Sequence, residues 1–337
     1  MLLKSFSFIF IAGLLCAMLL FSSCSGNGRG LQAMTGFVGG NTGLKIGVMD
    51  GVPPKVVQGG GKNPFSFILM IENVGEAPVG PGTDNPLIIA RLTGILPSSF
   101  GMTDSGSAKT LDSTISPARK NYDGSDSPGE ISQISFENLV YTHQVFESLS
   151  LTIRAEVCYD YESYATVKFC MKKDVLENYQ DLSICSLNGY QPVGSSGAPL
   201  HIAAVNEMAI NNKTVQLNLL IEHLGRGVFF LRNSPKDLFD TCVFNDMDPN
   251  IYKLEVFVEP VNAGAYDISC VRLDEKLEDG GAHGIVRMYQ GAPLTISCLV
   301  TQARPVDMRV YQDLLKVKLR YRYGEFLEVP ILIQPTA

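Results

Sequence analysis

Positive charge is scarce in this chain. Its 337 residues carry 27 lysines and arginines against 34 aspartates and glutamates, a formal net charge of −7, and no basic cluster longer than two residues apart from broken pairs. Nucleic-acid binding rests on neutralising phosphates, so that class of partner is excluded. A polybasic contact with anionic lipid is disfavoured on the same ground. Histidine is scarcer still: His143, His201, His223 and His283 are scattered, without a serine or cysteine neighbour in a recognisable motif. No C-x-x-C pair, zinc spacing, G-x-S-x-G or H-E-x-x-H occurs. Catalytic groups are defined by geometry rather than order, so a hydrolase assembled from loops stays a minor alternative. The expectation is a protein that is not an enzyme, with no catalytic residues, no metal and no cofactor.

Long apolar runs are missing except at the start. Met1–Lys4 carries one positive charge, Ser5–Phe21 is almost wholly apolar, and Ser22-Ser23-Cys24 closes the run with small residues. This is the layout of a signal peptide over residues 1–23. The run is too short, and lacks the basic flank, for a permanent span. Small residues before Cys24 resemble the lipobox of prokaryotic lipoproteins, with Phe21 where an aliphatic residue is usual. The resemblance implies lipidation at Cys24 and anchorage to the outer face of the cell membrane. Ordinary cleavage with release, or an uncleaved anchor helix, are the alternatives. Residues 24–43, rich in Gly, Asn, Ser and Thr, read as a flexible tether.

The mature chain leaves roughly 310 residues, enough for two domains of ordinary size. No amphipathic helix of three turns is evident. Instead, period-two alternation recurs, as in Phe65, Phe67, Leu69 and Ile71, and from Leu151 to Tyr161. Such alternation between Gly, Pro and Asn clusters means half-buried strands. The pattern also repeats. Ile71-Glu72-Asn73-Val74-Gly75 returns as Ile221-Glu222-His223-Leu224-Gly225, and Tyr159-Asp160-Tyr161 returns as Tyr321-Arg322-Tyr323. Two matches in the same order indicate two copies of one domain. The fold class is therefore all-β, with two tandem immunoglobulin-like β-sandwich domains at residues 44–173 and 198–337 and a linker at 174–197.

Phase suggests a terminal hairpin in each domain. One would set Tyr159 opposite Phe169, and Cys158 against Cys170; the other would set Tyr321 opposite Ile331. Tyr164 and Phe326 would then stand at hairpin tips as aromatic contacts, and Val329–Ile333 could accept a strand from another subunit. Six cysteines follow Cys24, an even number that in an exported protein reads as disulfides. Cys270 and Cys298 share the inward phase of their strands and make the first-choice bridge. Cys170 could pair with Cys158 or Cys185. If all six pair, one bridge must join Cys158, Cys170 and Cys185 to Cys242, Cys270 and Cys298. Asn212-Lys213-Thr214 is a glycosylation sequon, with Asn212 the acceptor.

Three motifs read as loops rather than sites. Gly59-Gly60-Gly61-Lys62 lacks the spacing and the following helix of a phosphate loop. Asp246-Met247-Asp248-Pro249-Asn250 opens like a calcium loop, but Ile251 stands where glycine is needed. Asp274-Glu275 and Glu278-Asp279 read as a solvated loop.

A strand followed by Glu-Asn-Val-Gly or Glu-His-Leu-Gly resembles the CARDB-type immunoglobulin-like modules of prokaryotic surface proteins; His223 departs from their asparagine. The lipobox, both turns and the tyrosine motifs together resemble archaeal surface lipoproteins with tandem modules of this type. The resemblance implies location and fold, and no activity. The expected function is a cell-surface adhesion, envelope or assembly module. Its partner would be a surface protein or polysaccharide, and self-association is possible. The alternative is a lipoprotein that delivers a sugar, peptide or ion to a transporter or enzyme.

Overall fold

The alternation that begins at Leu149 does not stop at a turn. In the computed structural model, which describes residues 36–232, 242 and 248–336, Leu149–Lys172 is one strand of 24 residues. Val310–Gln334 is another, of 25. The two run antiparallel and pair without interruption from Lys172↔Val310 to Leu149↔Ile333. At about 3.3 Å per residue this ribbon is roughly 80 Å long. Neither tyrosine motif offers the Asn-Gly or Gly-Gly pair that a tight hairpin needs, and β-branched and aromatic residues carry each strand through.

The expected terminal hairpins are therefore replaced. Tyr159 faces Tyr323, Tyr161 faces Tyr321 and Asp160 faces Arg322. A hairpin register and the observed register both pair odd with odd residues, so alternation alone cannot choose between them. Tyr164 and Phe326 consequently lie inside strands rather than at tips. The edge expected to be open near the C-terminus is covered at Leu332–Gln334 by the parallel strand Val56–Gln58.

The ribbon is the centre of a ten-stranded sheet. It is flanked on one side by Lys253–Pro260 and Ala282–Arg287, and on the other by Ile88–Thr93 and Ala108–Thr110. Two smaller sheets stack on the face that carries the tyrosines. One consists of Leu44–Val48, Phe65–Asn73 and Ile131–Leu139; the other is built on Leu200–Asn211, Thr214–His223, Leu294–Gln302 and Tyr266–Cys270, with Gly189–Gln191 at its edge. The described residues contain no α-helix. Each half is a layered β structure, and one continuous set of buried side chains runs through both. Each long strand serves both halves, so the chain is not cut between them.

Four fully buried tyrosines mark the centre. Their rings meet at 5.7 Å for Tyr159–Tyr161 and Tyr159–Tyr323, and at 6.4 Å for Tyr161–Tyr321. In the first half, Gly75 packs against the Tyr161 hydroxyl; in the second, Gly225 packs against that of Tyr323. A Cβ at either glycine would enter the hydroxyl oxygen.

Segments read as connectors are bound into this body. The N–H groups of Val38 and Gly39 donate to the Glu76 carboxylate at 2.8 and 3.0 Å, and Gly75 donates to the Gly43 carbonyl. Within 174–197, Val193–Ser195 pairs with Ala165–Val167. Three disulfides add to these ties: Cys270–Cys298 across neighbouring strands, Cys170–Cys185, and Cys158–Cys242 joining the two groups of cysteines. They place the chain in an oxidising compartment. Among the described residues no helix is long and apolar enough to cross a membrane. Residues 1–35, with the signal sequence and Cys24, lie outside the described residues.

Candidate functional site

The face of the ribbon opposite the tyrosines carries a lattice of charge. Arg322 Nε donates to Asp160 at 2.9 Å and Arg320 Nε to Glu162 at 2.8 Å, while Arg232 reaches Asp160 at 3.3 Å. The Tyr164 hydroxyl donates to Glu162 at 2.5 Å, and burial followed by that carboxylate pushes its ionisation up. The row continues through Glu255 to His283, which bonds Glu275 at 2.8 Å. Asp160 and Glu162 are buried and each is held by a guanidinium. This is how buried carboxylates are normally accommodated, and the pairs staple the two long strands together.

The histidines are mostly occupied in the same way. His223 Nε2 lies 3.0 Å from the Tyr323 hydroxyl, and burial lowers its pKa. His201 bonds the Ala198 carbonyl. His143 Nε2 lies 3.1 Å from Ser99 Oγ, a pairing across 44 positions with no local motif to announce it. A nucleophile–base pair needs a third group to orient the base, and among the described residues none bonds the other His143 nitrogen.

Of the motifs set aside as loops, the glycine run is a turn, whereas Glu275–Lys276 is a short strand paired with His283 and Ala282, so the acidic segment is only in part a loop. The N–H groups of Gly59, Gly60 and Gly61 are spent on the carbonyls of Gln334, His143 and Tyr141, so they cannot cradle a phosphate. Asp246 and Met247 lie outside the described residues; Asp248 Oδ1 accepts the Asn250 N–H at 2.8 Å in a turn. Asp279 accepts the N–H of Gly281. Phe326 is half exposed, with the Arg154 guanidinium 3.6 Å from its ring centre. Asn212 is exposed in the turn between Leu200–Asn211 and Thr214–His223, where a glycan could be attached.

The end of the second half, just beyond the Lys172–Val310 pair, is different in character. A recess of about 170 Å³ is lined by Lys173, Lys213, Gln302, Ala303, Arg304, Pro305 and Val306. Three chain segments meet there and are tied by backbone bonds. Gln302 N–H donates to the Lys213 carbonyl, Ala303 to Ala265, and Lys173 to Arg309. The Gln302 side chain donates to the Lys172 carbonyl at 2.6 Å, fixing the floor. Beside the recess the loop closed by Cys170–Cys185 exposes Leu176, Leu182 and Ile184, and Met308 is exposed close by. The Arg309 guanidinium covers the Tyr179 ring at 3.7 Å and pairs with Glu177. Lys173, Lys213 and Arg304 come from segments up to 131 positions apart, so no sequence motif could have gathered them.

No protein-family model matches the chain, and no curated protein is significantly similar to it.

Proposed function

We propose that this protein is a non-catalytic surface lipoprotein, exported and held at the outer face of the cell membrane through Cys24. In this reading its halves are immunoglobulin-like modules of the CARDB type, and it works as an adhesion, envelope or assembly element. The observation that carries the reading is the exposed apolar cluster at the end of the second half. Leu182 is 71% exposed and Leu176 59%, on a loop held by a disulfide. Apolar side chains kept in water on a braced loop mark an interaction surface. Loops on a rigid scaffold are where binding residues concentrate.

Delivery of a small ligand to a transporter is the weaker reading. Pockets that engulf small molecules measure roughly 300–1,000 Å³, and the recess beside these loops is smaller. Retention of the tagged chain carrying Cys24→Ser, which cannot be lipidated, on purified cell envelopes tests the contact surface. The triple variant Leu176→Ser, Leu182→Ser, Met308→Ser should lose most retention while melting like the parent. Undiminished retention would remove the distal loops as the contact surface.

A further inference from the structure

We propose that the recess formed by Lys173, Lys213 and Arg304 is a binding site for one anionic group, a carboxylate or sulfate, carried by an acidic polysaccharide. The inference rests on the distal loops being the contact surface and adds the chemical class of what they contact.

Charge is the first argument. Lys173, Lys213 and Arg304, from separate segments, all line one small concavity, and no acidic side chain lines it. None of the three forms an ion pair with a described residue. Elsewhere, cations that crowd together are compensated: Arg91 by Glu156, Arg232 and Arg322 by Asp160, Arg320 by Glu162, Arg309 by Glu177. All three are exposed side chains that can turn toward the recess, and an anion seated there is attracted by each of them. The backbone ties from Gln302, Ala303 and Lys173 hold the walls of the recess in advance, so only the side chains are ordered on binding.

Size and surroundings select the source. The recess takes a side group and leaves the rest of the ligand outside, which describes a polymer. Asp174 and Asp307 flank the same end, and the chain as a whole is acidic. A nucleic acid or an anionic bilayer presents closely spaced charge that these carboxylates would repel. A polysaccharide with one charge per sugar or fewer presents its anions singly. The exposed apolar side chain of Leu176 and the edge of the Tyr179 ring offer a surface for the C–H face of an adjoining sugar.

The test is a titration of the full chain, in detergent, with fluorescent oligogalacturonate, sulfated dextran and neutral dextran. Binding is expected to either acidic polymer and not to neutral dextran, weakening as salt screens the charges. The double variant Lys213→Glu, Arg304→Glu should bind at least about tenfold more weakly, and Lys213→Arg should retain affinity. Equal binding by the charge-reversed variant overturns the site. So does the absence of binding to both acidic polymers. A preference for detergent micelles containing phosphatidylglycerol over both overturns the source. Envelope retention separates the two proposals. If charge reversal leaves it intact while the Leu176, Leu182, Met308 variant abolishes it, the contact surface stands and the anion site falls. If neither change matters, the contact surface falls, and the direct titration still decides the anion site.

Discussion

The two halves solve one packing problem with different side chains. In the first, Gly75 seats on Tyr161, whose hydroxyl accepts the N–H of Ala77 at 3.4 Å. In the second, Gly225 seats on Tyr323, whose hydroxyl accepts the N–H of Gly227 at 2.7 Å. The accepted N–H lies two residues past the glycine in both. The companion tyrosines match as well: Tyr159 bonds Glu325 at 3.2 Å and Tyr321 bonds Ser163 at 2.8 Å, each reaching across the ribbon. What differs is the filling. Asn73 is buried and donates to the Ala77 and Ile115 carbonyls, whereas His223 bonds the tyrosine itself. The glycine–tyrosine seat is the constant of the repeat, and the polar residues around it have drifted, placing a histidine in the second half where the first has an asparagine.

The largest expected effect tests the constant. Gly75→Ala and Gly225→Ala should each cost about 3 kcal/mol, since the new methyl meets a packed hydroxyl and backbone or Pro199. Calorimetry on both variants checks it; a tolerated substitution on one side breaks the equivalence.

Next is Glu207 in the second half. It accepts the Cys170 N–H at 3.1 Å where the edge of the long strand has lost its neighbour, and burial pushes its carboxyl up to about 8. Its proton is retained in the fold and lost on unfolding, so stability falls as pH rises from about 4.5 to about 8. Glu207→Gln keeps an acceptor and removes that dependence. The variant should gain roughly 2 kcal/mol over the parent at pH 8 and little at pH 4. Denaturant melts at the two pH values decide.

His223 has the opposite sign. Burial lowers its pKa, so its contribution is complete above about 6.5 and is lost as pH falls through the lowered value. His223→Asn makes the second half resemble the first and should flatten the acid limb of the stability curve between pH 7 and 5. Glu325 is retained in this variant; its carboxyl is raised by burial, and it favours the fold toward acid, opposing the histidine. An unchanged acid limb would show that His223 is not the sensor. The smallest effect belongs to Phe326→Ala, worth about 0.5 kcal/mol through the lost contact with Arg154. It should leave envelope retention untouched, in contrast to the distal loops.

Much of the strand pattern was legible because alternation reports burial directly. The odd positions of Phe65–Ile71 and of Val215–Ile221 are all buried, and the phase of Ile268 and Ile296 sets Cys270 opposite Cys298. Chain connectivity was not legible. Any register pairing odd with odd satisfies the same pattern, so a through-going strand and a hairpin look alike until the absent turn residues are weighed. The Cys158–Cys242 bridge was implied only as a link between two groups of cysteines. The distal recess depends on three loops meeting in space, which no local pattern records.

The uninterrupted ribbon has a mechanical consequence. The chain enters the folded body near the central tyrosines, where Gly43 lies against Tyr161, while the distal loops lie beyond Lys172 and Val310, eleven residue pairs away. A pull between these points is directed along the strands. The ladder bonds are then loaded in shear, all together, instead of being unzipped one after another, so the ribbon resists tension as a unit.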